Sequence, residues 1–174
     1  MRLLALAAFV LLAACSGRPS LEQEPLSDRQ LNLEEFFEGD LVAYGQFKDL
    51  LGRVSRRFVV DIEGPWDGET LTLVEDFVYE DNSTEQRVWT LRKTGENTWE
   101  GTAPGVQGVA LGVESGDTFN WGYTIDLPVG GGETVRVTFD DWMWLLSDDR
   151  LLNIADMERF GVKVGEVVIF FEKE

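Results

Sequence analysis

Histidine is absent from this chain, and cysteine occurs once. Without histidine there is no Ser-His-Asp or Cys-His catalysis and no imidazole ligand for a metal. With a single thiol there is no intrachain disulfide and no cysteine-rich zinc site. Positive charge is scarce: Lys plus Arg total 15 against 32 for Asp plus Glu, a formal net charge of −17. A surface that acidic repels phosphate backbones, so no nucleic-acid partner is expected. No Gly-rich phosphate motif opens a helix. The acidic pairs Asp140-Asp141 and Asp148-Asp149 have no EF-type spacing, and neighbours on a strand point to opposite faces. No cofactor and no metal site is expected.

What is present begins with an address. Arg2 forms a short basic region, Leu3 to Leu12 is an unbroken apolar run, and Leu12-Ala13-Ala14-Cys15 sets small residues before the one cysteine. This is the pattern of a secretory signal with its cleavage site, here residues 1–14. The run is too short for a spanning helix, which needs about 20 apolar residues. Leu-Ala-Ala-Cys resembles the bacterial lipobox. That resemblance implies a diacylglyceryl thioether on Cys15, cleavage before it and acylation of the new amino group. Two or three chains anchor stably where one does not. By resemblance to enterobacterial sorting, Ser16 implies the outer membrane, facing the periplasm. The expected location is thus the bacterial envelope, and one expected partner is its membrane, through the lipid.

Residues 15–30 carry two prolines and no apolar periodicity. They read as a lipidated flexible tether with an r.m.s. span of about 20 Å. Residues 31–174 read as one domain, and 44% hydrophobic residues suffice for a core. Asn32 to Gly39 predicts a short N-terminal helix, with Asn32 as cap, Glu35 three residues on and Gly39 as stop. Leu33, Phe36 and Phe37 share its apolar face, which suits a lid over one end of a sheet.

From Leu41 onward the period is two. Phe119, Trp121, Tyr123, Ile125 and Leu127 alternate with Asn120, Gly122, Thr124 and Asp126. Phe58, Val60 and Ile62 repeat the pattern, as do Leu71, Leu73, Phe77 and Tyr79 with Glu75 interrupting. Short turn-like connections join antiparallel neighbours. About ten strands are predicted, near 41–48, 56–63, 69–80, 85–93, 97–103, 107–114, 117–127, 133–144, 150–155 and 165–172. So long a meander closes on itself or splits into packed sheets. The expected fold is all-β: an antiparallel up-and-down barrel of calycin or lipocalin-like type with a short N-terminal helix.

Candidate binding residues follow from strand parity. Leu71, Leu73, Trp89, Leu91, Phe119, Trp121, Tyr123, Val135, Val137 and Phe139 share the inward side. They would line an apolar ligand cavity or simply fill the core. Ala110, Gly112 and Gly122 are small enough to leave room. Lys48 to Arg57 is the basic stretch of an acidic chain. Its Arg53, Arg56 and Arg57 suit lipid headgroups or a ligand carboxylate at a barrel mouth, or form a solvated hairpin neutralised by nearby acids. Trp142 and Trp144 share the outward parity, either as an exposed aromatic contact or packed under the N-terminal segment.

Several stretches resemble one family together. They are Phe36-Phe37-Glu38-Gly39 with Gly45-Gln46-Phe47, Gly52-Arg53-Val54-Ser55-Arg56-Arg57-Phe58, Trp66-Asp67-Gly68, Glu75-Asp76-Phe77-Val78-Tyr79 and Arg87-Val88-Trp89-Thr90-Leu91. Phe139-Asp140-Asp141-Trp142-Met143-Trp144 and Gly165-Glu166-Val167-Val168-Ile169-Phe170-Phe171 complete the set. The whole, from Asn32 to Lys173, resembles the bacterial lipoproteins grouped as domain of unknown function 3833. That resemblance implies no catalytic residues. It points loosely toward fatty acids, since members resemble neighbours of lipid-modifying functions.

Two functions from different classes are expected. In the first, an envelope lipoprotein binds or carries a hydrophobic small molecule, such as a fatty acid or another lipid. In the second, a filled, non-catalytic barrel docks another envelope protein. An enzyme is not expected, although two buried, close carboxyls with raised pKa values would argue for one.

Overall fold

The computed structural model describes residues 19–23, 25 and 27–174. The signal segment and Cys15 lie outside the described residues. The chain opens on α1 (Leu33–Phe37) and continues through β1 (Gly39–Asp49), β2 (Val54–Gly64), β3 (Thr70–Tyr79), β4 (Thr84–Lys93) and β5 (Thr98–Thr102). It finishes with β6 (Ala110–Ser115), β7 (Thr118–Gly130), β8 (Glu133–Ser147), β9 (Arg150–Arg159) and β10 (Val162–Lys173). Every strand pairs with its sequence neighbours, and β1 pairs with β10 to close a ten-stranded antiparallel barrel. The predicted architecture is the observed one. The barrel and all of its core fall within residues 31–174, so a chain from Ser16 onward keeps everything described.

The period of two puts Phe58, Val60 and Ile62 inside and leaves Val59, Asp61 and Glu63 outside. Alternation of this kind fixes register, because a slip of one residue would turn every apolar side chain to solvent. Gly45 on β1 meets a packing demand. A Cβ there would lie 2.1 Å from Cζ of Phe58, so the ring fills the space that a side chain would need.

The two ends of the barrel differ. At one end α1 forms a plug. Leu31, Leu33, Phe36 and Phe37 are all buried, and Phe37 meets Phe171 edge-on at 5.4 Å. The helix has only five residues, and its start is satisfied from the barrel. Asn32 makes no side-chain bond to the helix backbone and donates instead to Glu35 at 3.1 Å. The free Leu33 N–H donates to Glu114 Oε1 at 2.7 Å, which also accepts from Trp99 Nε1 at 3.0 Å. A buried carboxylate thus replaces the predicted cap. At the other end no such plug stands among the described residues, and three of the four register shifts, in β1, β7 and β10, fall near that rim. Bulges of this kind bend and twist strand ends.

The expected tether is partly docked. The Leu31 N–H donates to Gly116 O at 2.8 Å, Ser27 Oγ to Asp117 at 2.7 Å, and Arg29 pairs with Asp148. Pro19, Leu21 and Pro25 share a groove with Trp142 and Trp144 on the outer wall. The two half-buried tryptophans therefore face the N-terminal segment across this groove.

Candidate functional site: a polar girdle inside an apolar barrel

The barrel is hollow. A cavity of about 610 Å³ runs from the plug, where Leu33 and Phe37 form its floor, to a mouth ringed by Phe47, Arg56, Met157 and Val164. That volume is of the order of small-molecule sites, which run from about 300 to 1,000 Å³. Aromatic rings make much of the wall. Trp89 meets Tyr123 edge-on at 5.0 Å and Trp121 at 5.7 Å, and Tyr123 stacks on Phe139 at 5.1 Å.

Seven of the ten predicted lining residues face this space: Leu73, Trp89, Leu91, Phe119, Trp121, Tyr123 and Phe139. Leu71, Val135 and Val137 do not. Leu71 is fully buried next to the plugged end, where the bridge to Trp66 covers it. Val135 and Val137 pack into the core beside Leu127 and Ile125, and Val106 of the β5–β6 connection bridges to Ile125. Nor do the small residues all make room. The space beside Gly112 is taken by Phe119 and Trp121, and Gly122 faces outward over open space.

Of the three arginines, Arg56 alone reaches the cavity. Its guanidinium lies 3.3 Å from the Tyr79 ring centroid and donates to Ser83 Oγ at 2.8 Å. Arg53 is held by Asp49 at 2.7 Å in the β1–β2 turn, and Arg57 is exposed, opposite Gln46. The acidic pairs engage their own neighbours: Asp140 accepts from Asn120, Asp148 from Arg29 and Asp149 from Ser147.

Five residues that the sequence reading did not assign to the cavity, Glu75, Glu85, Arg87, Asp141 and Asn153, form with the predicted Tyr123 a girdle at mid-depth. Glu75 on β3 stands directly opposite Arg87 on β4, and Arg87 donates to Glu85 at 2.9 Å. Across the cavity lie Tyr123 on β7, Asp141 on β8 and Asn153 on β9. Asn153 Nδ2 donates to Asp141 Oδ1 at 3.1 Å, while Asn153 Oδ1 is buried without a partner among the described residues. The signal was parity: Glu75, Glu85, Arg87 and Asp141 all carry the inward phase of their strands.

Burial sets the charges. It is the main force raising Glu75 to about 7; Arg87 opposes it and Glu85 adds to it. Asp141 also rises to about 7, again through burial first. The Asn153 hydrogen bond opposes the rise, and the charges of Asp140 and Glu75 add to it. Burial, with Asp141 beside it, lifts Tyr123 well above its ordinary value, so its hydroxyl keeps its proton. Arg87 is pulled down by burial, but Glu75, Tyr123 and Glu85 outweigh this and hold it charged. At the rim, burial and Glu85 push Tyr79 up to about 12. The girdle therefore has one fixed cation, one hydroxyl donor and two carboxyls poised between forms near neutrality.

The family model described as "Protein of unknown function (DUF3833)" matches residues 9–173. The chain belongs to this family. No curated protein matches it. Among solved structures, the DUF3833 chain is similar to the S-type phycobiliprotein lyase CPES from Guillardia theta. The identity is 12% and the TM-score 0.58, over 83% of this chain and 93% of that one. It is also similar to a protein of unknown function from the DUF3598 family of Nostoc punctiforme, with 11% identity and a TM-score of 0.55. That match covers 91% of this chain but 53% of the other, so the DUF3833 barrel spans about half its length. At such identities the likeness concerns the fold.

Proposed function

We propose that this DUF3833 protein is a lipid-anchored envelope barrel that holds or carries a hydrophobic small molecule with one polar group, such as a fatty acid. The cavity is the observation that carries this reading: about 610 Å³, walled by aromatic and aliphatic side chains and crossed by one polar girdle. Apolar walls supply burial, and a few convergent polar groups fix orientation. For a fatty acid the donors are Arg87 and the Tyr123 hydroxyl, with Glu75 and Asp141 in their neutral forms. The likeness to a phycobiliprotein lyase supports a ligand-holding fold of this kind. A filled docking barrel does not accord with the hollow interior. The anchor is proposed at Cys15, in an outer membrane facing the periplasm, on the strength of Leu12-Ala13-Ala14-Cys15 followed by Ser16.

The test is to export the chain from Ser16 onward behind a cleavable signal and purify it without detergent. Its organic extract is then examined by mass spectrometry. One lipid per protein, displaced by cavity-filling substitutions, is the expected result. Absence of any lipid, with fluorescent fatty acids also failing to bind, would overturn the reading.

A second reading rests on one observation. Glu75 and Asp141, both near 7 and both facing the cavity, are suited to take a proton from a bound ligand and return it. It predicts conversion of a bound ligand that Glu75→Gln or Asp141→Asn abolishes while binding persists.

A further inference from the structure

The rim of the mouth carries the most exposed apolar side chains of the described residues. Phe160 is 97% exposed, Leu51 77%, Val162 64% and Leu50 63%. They come from two hairpin tips, β1–β2 and β9–β10. Asp49 pairs with Gly165, so the two hairpins stand side by side. Their position also breaks a local preference. Phe160 and Gly161 form a two-residue turn with φ of 53° and 74°. Turns with positive φ at both central residues favour Asn-Gly, and a bulky side chain in the first place is strained. A strained, fully exposed aromatic ring does nothing for the barrel itself.

The charge around these tips also departs from the rest of the chain. Lys48, Arg53, Arg56, Arg57, Arg159 and Lys163 lie on the two hairpins, against Asp49, Asp156, Glu158 and Glu166. Six cations face four acids on these two hairpins in a chain whose net charge is −17, and Asp81 of the neighbouring β3–β4 turn lies 3.7 Å from Arg56. Arg159 lies under the Phe160 ring, 5.4 Å from its centroid.

We infer that the mouth docks on an anionic lipid bilayer, with Leu50, Leu51, Phe160 and Val162 entering the acyl boundary and the surrounding Arg and Lys side chains meeting lipid phosphates. Convex, separate apolar tips suit a fluid surface, where a protein partner would need a matching groove. On the two hairpins that carry the apolar tips, cations outnumber acids, and Arg57 and Arg159 enter no ion pair among the described residues; this complements anionic headgroups on an otherwise repulsive molecule. Lys48, Arg56 and Val164 belong both to this rim and to the cavity lining. Docking would therefore bring the cavity opening to the lipid surface. The inference stands on side chains at the rim, not on the girdle, and holds whether or not a ligand is found inside.

The test uses the chain from Ser16 onward, which lacks the anchor, with vesicles of phosphatidylglycerol and phosphatidylethanolamine or of phosphatidylcholine alone. Co-sedimentation with the anionic vesicles and much less with the neutral ones is expected, weakening as salt rises. Phe160→Asn and Leu51→Asp should each lower the partition coefficient roughly tenfold, about what losing one buried large apolar side chain costs. Phe160→Asn should at the same time raise the melting temperature, since Asn suits the turn. Gain of stability with loss of binding is a signature that a merely structural role would not give. Failure of the parent chain to bind anionic vesicles, or binding unchanged in both variants, would overturn the inference. So would a concentration-dependent dimer, broken by these substitutions, in a chain indifferent to vesicles.

Discussion

Glu75 and Arg87 face one another directly across the β3–β4 ladder, inside the barrel, and Glu85 holds the same guanidinium from the mouth side. A buried cation between two carboxyls depends on all three. Removing it strands charge where water is scarce, and breaking such a buried pair costs about 3–5 kcal/mol. Arg87→Met is expected to lose stability on that scale in urea unfolding. Adding Glu75→Gln to Arg87→Met should recover part of the loss, since one stranded charge is then gone.

Stability should depend on pH through the girdle. Glu75 and Asp141 have folded values near 7, raised by burial from 4.5 and 3.8. Between those ordinary values and about 7 the folded chain holds more protons than the unfolded one. The stability from these two groups is therefore complete in acid and is lost as pH rises toward and through 7. Asp141→Asn removes half of this dependence. Its melting temperature should exceed that of the parent at both pH values, and by roughly 5–10 °C more at pH 8 than at pH 5.

Ligand charge can be read from the same groups. A fatty-acid carboxylate against Arg87 and Tyr123 requires Glu75 and Asp141 to be neutral. Dodecanoate affinity should rise about a hundredfold from pH 8 to pH 6, about tenfold for each of the two carboxyls, through proton linkage. Dodecylamine should show the opposite trend. Titration of both, followed through the cavity tryptophans Trp89 and Trp121, checks this. Amine binding that tightens with pH, with no dodecanoate binding, would assign a cationic head to the natural ligand.

Cavity volume is open to a direct change. Ala155 is buried, lines the cavity and pairs in register with Asp141. Ala155→Phe should fill part of the space, lower ligand stoichiometry to near zero and leave the melting temperature equal or higher, as cavity filling commonly does. Loss of the fold with this substitution would show that the space is needed for packing.

The barrel was legible in the sequence because its alternation is strong: Phe119 to Leu127 and Phe58 to Ile62 each have one buried face, and turns separate them. The girdle was less legible, since Glu75 read as an interruption of an apolar face when it is the face's polar member. Arg87 and Asp141 hide in the same way between Glu85 and Trp89 and between Phe139 and Met143. Parity gives direction but not depth, so Val135 and Val137, inward like Phe139, could not be told from cavity residues. The Asn32 cap failed because Glu114, distant in sequence, supplies the acceptor. The membrane tip was half visible in Lys48 to Arg57. Its other half, Phe160, became apparent only when β10 closed onto β1.

The N-terminal segment lies against the plugged end, beside Gly116, Asp117 and Asp148, and the mouth opens at the opposite end. Strands of this length, tilted as in small barrels, separate the two ends by roughly 25–30 Å. Whatever holds this chain by its N-terminus therefore holds it by the closed base, with the opening turned outward. A vessel hung that way must turn over to fill from the surface that carries it, whereas a facing surface meets it upright. The fold thus has a direction, and under the proposed anchor and the proposed docking of the mouth its two ends would face two apposed surfaces.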